Sequence, residues 1–115
     1  MCVDYSEAMT EKQLQKMVVR YVRCQYKDVI LFHVPNAGKR STWHVQDVGI
    51  LHGVSDLILI YKGKLLALEL KIPGNKPTEY QQVFLDDIKK NEFDGYWTDN
   101  LDVAQEIIDR WVSRI

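Results

Sequence analysis

The sequence predicts an α/β domain in which a mixed central β-sheet is flanked by helices. Three observations carry this. Residues 29–34, 53–61 and 64–71 include short runs that are apolar at consecutive positions, as strands covered on both faces are. Three other stretches repeat apolar residues at helical spacing behind a capping residue. The resulting order is helix, strand, short helix, strand hairpin, helix, strand, helix, which a sheet with helices on both faces accommodates. At 115 residues and 46% hydrophobic content the chain is one domain, 1–115, with room for one core.

Residues 1–9 show no usable periodicity and read as an N-terminal tail. Thr10-Glu11-Lys12-Gln13 is a capping box, with Thr10 as N-cap and Gln13 reaching back. Leu14, Met17, Val18, Tyr21 and Val22 follow as one apolar stripe. Glu11 leans towards that stripe, although an acid in a first turn also suits the helix dipole. Residues 29–34 are the first strand, too apolar to be an exposed edge. His33 within it reads as a hydrogen-bonded strand residue, since no second His sits at ligand spacing. Asn36-Ala37-Gly38-Lys39-Arg40 follows Pro35 as a loop with the chain's one adjacent Lys-Arg pair. Gly38 permits close approach of the backbone, and Lys39 and Arg40 suit phosphate oxygens, so this loop is a candidate DNA-backbone contact with Asn36 beside it.

Ser41 is placed to cap a short helix through Trp43, His44, Gln46 and Val48, ending at Gly49. Trp43 and His44 fit either packing under the loop or stacking on an unpaired base. His52 precedes the hairpin with no specified role. Within the hairpin, Lys62-Gly63 is a two-residue turn that pairs Tyr61 with Lys64 and sets Asp56 directly opposite Glu69. Lys71 shares their face. After a loop with two prolines, Thr78-Glu79-Tyr80-Gln81 is a second capping box. Tyr80, Phe84 and Ile88 form the apolar side of that helix, with Val83 and Leu85 beside them and Gln81 on the same side. Residues 95–98 are the last strand, and Asp99 or Asn100 caps a final helix carrying Leu101, Ala104, Ile107, Ile108, Trp111 and Val112.

Two carboxylates and one ammonium at the end of a buried hairpin need a physical reason. Like charges at that distance repel, and a cation between them relieves the repulsion. Lys71 alone can be that cation in a purely structural network. Alternatively, a hard divalent ion takes Asp56 and Glu69, with the Leu70 carbonyl as a further oxygen. An ammonium beside such an ion holds water and offsets charge growing on a phosphate.

Asp56 followed by Glu69-Leu70-Lys71 across a hairpin resembles the PD-(D/E)XK nuclease superfamily, with Ser55 where the namesake Pro would stand. Residues Glu11 through Gln15, Asn36 through Ser41, Gly53 through Leu57 and Glu79-Tyr80-Gln81 resemble one branch of it, the VRR-NUC domain, from about Thr10 to the C-terminus. The resemblance implies a restriction-endonuclease-like core and a Mg²⁺- or Mn²⁺-dependent DNA endonuclease. In it Asp56 and Glu69 bind the ion with Leu70, Glu11 supports it, Lys71 positions the attacking water, and Gln81 assists, with Gln15 as a nearby companion. Small stand-alone members of that branch, often phage-borne, look like homodimeric nucleases of branched DNA, above all Holliday junctions. Flap cleavage is the enzymatic alternative, and a non-cleaving DNA-binding module with the same fold is the alternative of another class.

Net charge is −1, so a nucleic-acid binder of this composition gathers its positive charge locally. Neither a secretory signal nor a membrane-length apolar run is visible, and Cys2 and Cys24 form no disulfide or metal pattern. The expected location is intracellular, in a cytoplasm or that of a host cell if the protein is phage-encoded. Three Trp, six Tyr and three Phe are many large aromatics for one small core. With the need for two cuts in a junction, they point to a C₂ homodimer packed through the terminal helices or the Trp43 segment.

Overall fold

The computed structural model describes residues 9–35, 49 and 51–115. Thr10 opens helix α1, Glu11–Gln25, through a reciprocal capping box. Its hydroxyl accepts from the Gln13 N–H at 3.1 Å, and its own N–H donates to Gln13 Oε1 at 2.8 Å. Two orphan donors of the first turn are thereby satisfied, an arrangement worth about 1 kcal/mol. The stripe Leu14, Val18 and Val22 is fully buried, and Met9 packs against the same layer.

Four strands follow as one sheet in the order β1-β2-β3-β4: Ile30–His33, Leu57–Tyr61, Lys64–Leu70 and Asp94–Thr98. The first three are antiparallel, and β3 pairs with β4 in parallel. Helix α2, Glu79–Lys90, makes the crossover between the parallel strands, and α3, Leu101–Ser113, closes the chain behind an Asn100 cap. Helices α1 and α3 cover one face of the sheet over Leu57, Leu59, Leu66, Leu68 and Leu70. The other face, with Ile58 and Ala67, lies under Leu85, Phe84 and Ile88 of α2. Both faces of β2 and β3 are covered, which is why their sequences do not alternate.

The hairpin has the expected register. Tyr61 pairs with Lys64, and the ladder runs on to Leu57 opposite Leu68. Lys62 and Gly63 both take positive φ, 47° and 78°, as a type I′ turn demands. Gly53 answers a different need. At φ +83° its missing Cβ would stand 2.2 Å from the Tyr80 carbonyl oxygen, so the approach to β2 lies directly on the first turn of α2.

Three expectations are corrected. The first strand is an edge: Ile30 and Phe32 are 60% and 44% exposed. Helix α2 packs on β3 and β4 and does not extend to that end of its face, and an apolar run alone does not tell an edge from a centre. Tyr80 and Val83 do not belong to the buried side of α2, which runs through Leu85. Tyr80 lies beyond the sheet end, and its ring meets His52 instead, at 5.5 Å between centroids. Trp111, offered to an interface by the aromatic count, fills the chain's own core at 1% exposure. The short helix proposed from Ser41 to Gly49 lies outside the described residues, apart from Gly49.

Candidate metal centre

The ladder between β2 and β3 stops at Leu57 and Leu68, and side chains continue it. The Asp56 N–H donates to Glu69 Oε1 at 3.1 Å, and the Leu70 N–H donates to Asp56 Oδ2 at 3.0 Å. Each carboxylate thus takes the place of a missing backbone acceptor on the opposite strand. Glu69 alternates with Leu68 and Leu70, so its side chain lies on the α2 side of the sheet with Ala67. Glu11, first residue of α1, reaches the same point. Carboxylate oxygens of Glu11, Asp56 and Glu69 all lie within 4.8 Å of one another.

Glu69 is 1% exposed, and its Oε2 is buried with no hydrogen-bond partner among the described residues. The Lys71 Nζ stands 3.4 Å from that oxygen, long for a charge-assisted bond. Burial and the nearby Asp56 carboxylate push the Glu69 carboxyl up to about 8, against the pull of Lys71. Glu11 is raised for the same reasons in the same order, burial first and Asp56 second. Fully ionised, three carboxylates and one ammonium would leave two excess negative charges in a poorly solvated place, which is what the raised Glu69 and Glu11 carboxyls resist. That charge, an all-oxygen donor set and a carboxylate oxygen without a hydrogen bond among the described residues fit a hard divalent cation.

Asp56 is held by its main chain as well. Its carbonyl accepts the Val34 N–H at 3.0 Å and faces His33 Nδ1 at 2.8 Å. A carbonyl cannot donate, so Nδ1 carries the proton. The sequence reads His33 as a hydrogen-bonded strand residue, and the structure supplies its partner, the Asp56 carbonyl. Pairing of β1 with β2, His33 opposite Leu57, is the signal that would have found it. Gln81 is half-buried in the first turn of α2, beside the Gly53 contact. Its Oε1 is taken by the Thr78 N–H at 2.8 Å, which leaves its amide nitrogen as the free donor among the described residues. Asn36, Gly38, Lys39, Arg40, Trp43 and His44 lie outside the described residues. No helix among the described residues is long and apolar enough to cross a membrane.

No protein-family model matches the chain, and no curated protein matches it in sequence. Solved structures do match. One described as "VRR_NUC domain protein" superposes with a TM-score of 0.76 at 19% identity, covering 93% of this chain and 91% of its own. Another, described as "VRR_NUC domain", gives 0.63 at 17% identity, covering 89% of this chain and 97% of its own. At these identities the likeness is one of fold, and it extends over nearly the whole of each chain.

Proposed function

From a chain with the VRR-NUC fold, we propose a metal-dependent DNA endonuclease that hydrolyses phosphodiester bonds. The observation that carries the reading is the orphaned, buried Glu69 Oε2 among three converging carboxylates with Lys71 beside them. The two main-chain bonds alone do not call for three carboxylates at one point, since crowding a buried Glu69 against like charges opposes folding by a few kcal/mol in order of magnitude. Asp56 and Glu69 hold the ion, Glu11 supports it, and the Leu70 carbonyl is a further oxygen. Bound there, Mg²⁺ or Mn²⁺ supplies Lewis-acid polarisation of the phosphodiester and acidifies water.

The remaining work falls to the chain's own groups. The Lys71 ammonium orients the attacking water and offsets charge growing on the phosphate. Gln81 assists through its amide nitrogen, its oxygen being committed to the helix cap. Lys39 and Arg40, with Asn36 and Gly38, grip the DNA backbone.

We assign branched DNA as the substrate and the Holliday junction as its foremost form, cut by a C₂ homodimer. Symmetric resolution needs two sites at fixed separation, and one chain offers one. The test is Mg²⁺-dependent cleavage of four-way junction, flap, single-stranded and linear duplex DNA side by side. Cutting confined to the junction supports the assignment, and cutting confined to flaps moves the substrate. Binding without cutting on any of the four refutes the enzyme. Sedimentation without DNA should give twice 13.5 kDa, and a monomer would reject the dimer.

A further inference from the structure

Of the thirteen Lys and Arg among the described residues, four stand on one helix with little acid beside them. Helix α1 carries Lys12, Lys16, Arg20 and Arg23 against the single acid Glu11. By contrast α2 sets Lys89 and Lys90 against Glu79, Asp86 and Asp87, and α3 sets Arg110 against Asp102, Glu106 and Asp109. Two of the three cations on those helices are also tied internally, Arg110 to Glu106 at 2.7 Å and Lys90 to Asp87 at 3.9 Å. Among the described residues, none of the four α1 cations has an acidic partner within ion-pair distance. All four are exposed.

Their geometry suits a repeating anion. At about 100° per residue the four fall within an arc of roughly 80°, and Lys12, Lys16 and Arg20 rise by about 6 Å each. That rise is comparable to the spacing of phosphates along a nucleic-acid strand. A groove of about 420 Å³ runs beside them, lined by Gln15, Lys16, Val19, Arg20, Arg23 and Cys24. Gln15 lies one turn from Glu11, so the groove begins next to the carboxylate cluster. Among the described residues that line the groove, Val19 is the one sizeable aliphatic, which argues against insertion into a lipid surface.

We propose that the outward face of α1 seats the phosphate backbone of a duplex DNA arm and leads it to the carboxylate centre. This rests on the nuclease reading and adds to it a backbone-binding surface separate from the Lys39–Arg40 segment: Lys16, Arg20 and Arg23 take successive phosphates, with Lys12 nearest the cut. Sequence inspection passed over these residues because a charged helix face is ordinarily just solvated. Their isolation from acids, and the acids' concentration on α2 and α3, emerge only when the helices are compared.

The test is fluorescence anisotropy of a labelled four-way junction and a linear duplex, in EDTA, across a salt series with the full chain. Each phosphate contact contributes about −0.9 to the slope of log K against log salt. The variant Lys16→Gln/Arg20→Gln/Arg23→Gln should bind about tenfold or more weakly at low salt, with a slope shallower by roughly 2 to 3. Lys89→Gln/Lys90→Gln should keep the wild-type slope, and Arg20→Lys/Arg23→Lys should retain most of it. Thermal melting of each variant separates lost contacts from lost fold. If wild-type protein binds and cuts DNA while the triple variant keeps its slope, the α1 surface is refuted and the nuclease stands. If wild-type protein neither binds nor cuts any of these DNAs, both readings fall together.

Discussion

Glu69→Gln tests the centre without any substrate. In the metal-free protein the Glu69 carboxyl is pushed up to about 8 from an ordinary 4.5 by burial and by Asp56. The folded state therefore holds a proton that the unfolded state has released. Over that window folding takes up a proton, so stability falls as pH rises through it and the full penalty is present above about pH 8. At about 1.4 kcal/mol per pH unit the upper bound is roughly 5 kcal/mol, and relaxation and water penetration reduce the expected measured value to about 2 to 3 kcal/mol. Glutamine keeps the Oε1 that accepts the Asp56 N–H. In place of the orphaned Oε2 it presents an NH₂ group to the Asp56 and Glu11 carboxylates. It removes the charge and loses only the long Lys71 pair, at 3.4 Å.

Glu69→Gln should thus melt near the wild type at about pH 5 and roughly 10 °C higher at about pH 8.5, in EDTA, by circular dichroism. Millimolar Mg²⁺ should raise the wild-type melting temperature at the higher pH and leave the variant's unchanged. A difference between the two proteins that does not grow with pH, or a variant less stable at the higher pH, would refute the reasoning.

Asp109 Oδ1 accepts from Tyr21 at 2.6 Å and Tyr26 at 2.5 Å, and these bonds hold both phenols above the ordinary tyrosine range. Absorbance titration should show two of the six tyrosines ionising late, and Asp109→Ala should bring both back towards about 10. Gly53→Ala drives a Cβ to 2.2 Å from the Tyr80 carbonyl at φ +83°; a denaturant titration should show a loss of more than about 2 kcal/mol. His33→Ala removes one hold on the Asp56 carbonyl, so Mg²⁺-dependent cleavage should fall several-fold while the melting temperature moves by a few degrees, roughly the loss of one hydrogen bond. An unchanged cleavage rate would deny His33 its positioning role.

What the sequence made legible follows from short-range rules. Both capping boxes and the hairpin register are local patterns, and the register alone brings Asp56 and Glu69 to one face. Glu11 was harder, because a first-turn acid has a sufficient local explanation in the helix dipole. Only the tertiary approach of α1 to the end of the sheet sets it within 4.8 Å of the other two. The edge position of β1 and the outward turn of Tyr80 were illegible for the same reason. Both depend on how far α2 extends across its face, and no residue of β1 or of the first turn of α2 encodes that distance.

The exchange of main-chain bonds at the end of the hairpin bears on which ions the centre accommodates. Asp56 Oδ2 is occupied by the Leu70 N–H and Glu69 Oε1 by the Asp56 N–H. Each carboxylate retains one oxygen without a main-chain bond, and each bonded oxygen keeps a second lone pair, so these bonds favour one-toothed ligation without enforcing it. Ca²⁺, which takes six to eight oxygens and often both from one carboxylate, meets two groups in which one oxygen already holds a main-chain N–H. Mg²⁺ asks for few protein oxygens and keeps its waters. By stitching the strands together with the same side chains that would face a cation, the fold fixes the direction from which each carboxylate can offer its oxygens before any ion arrives.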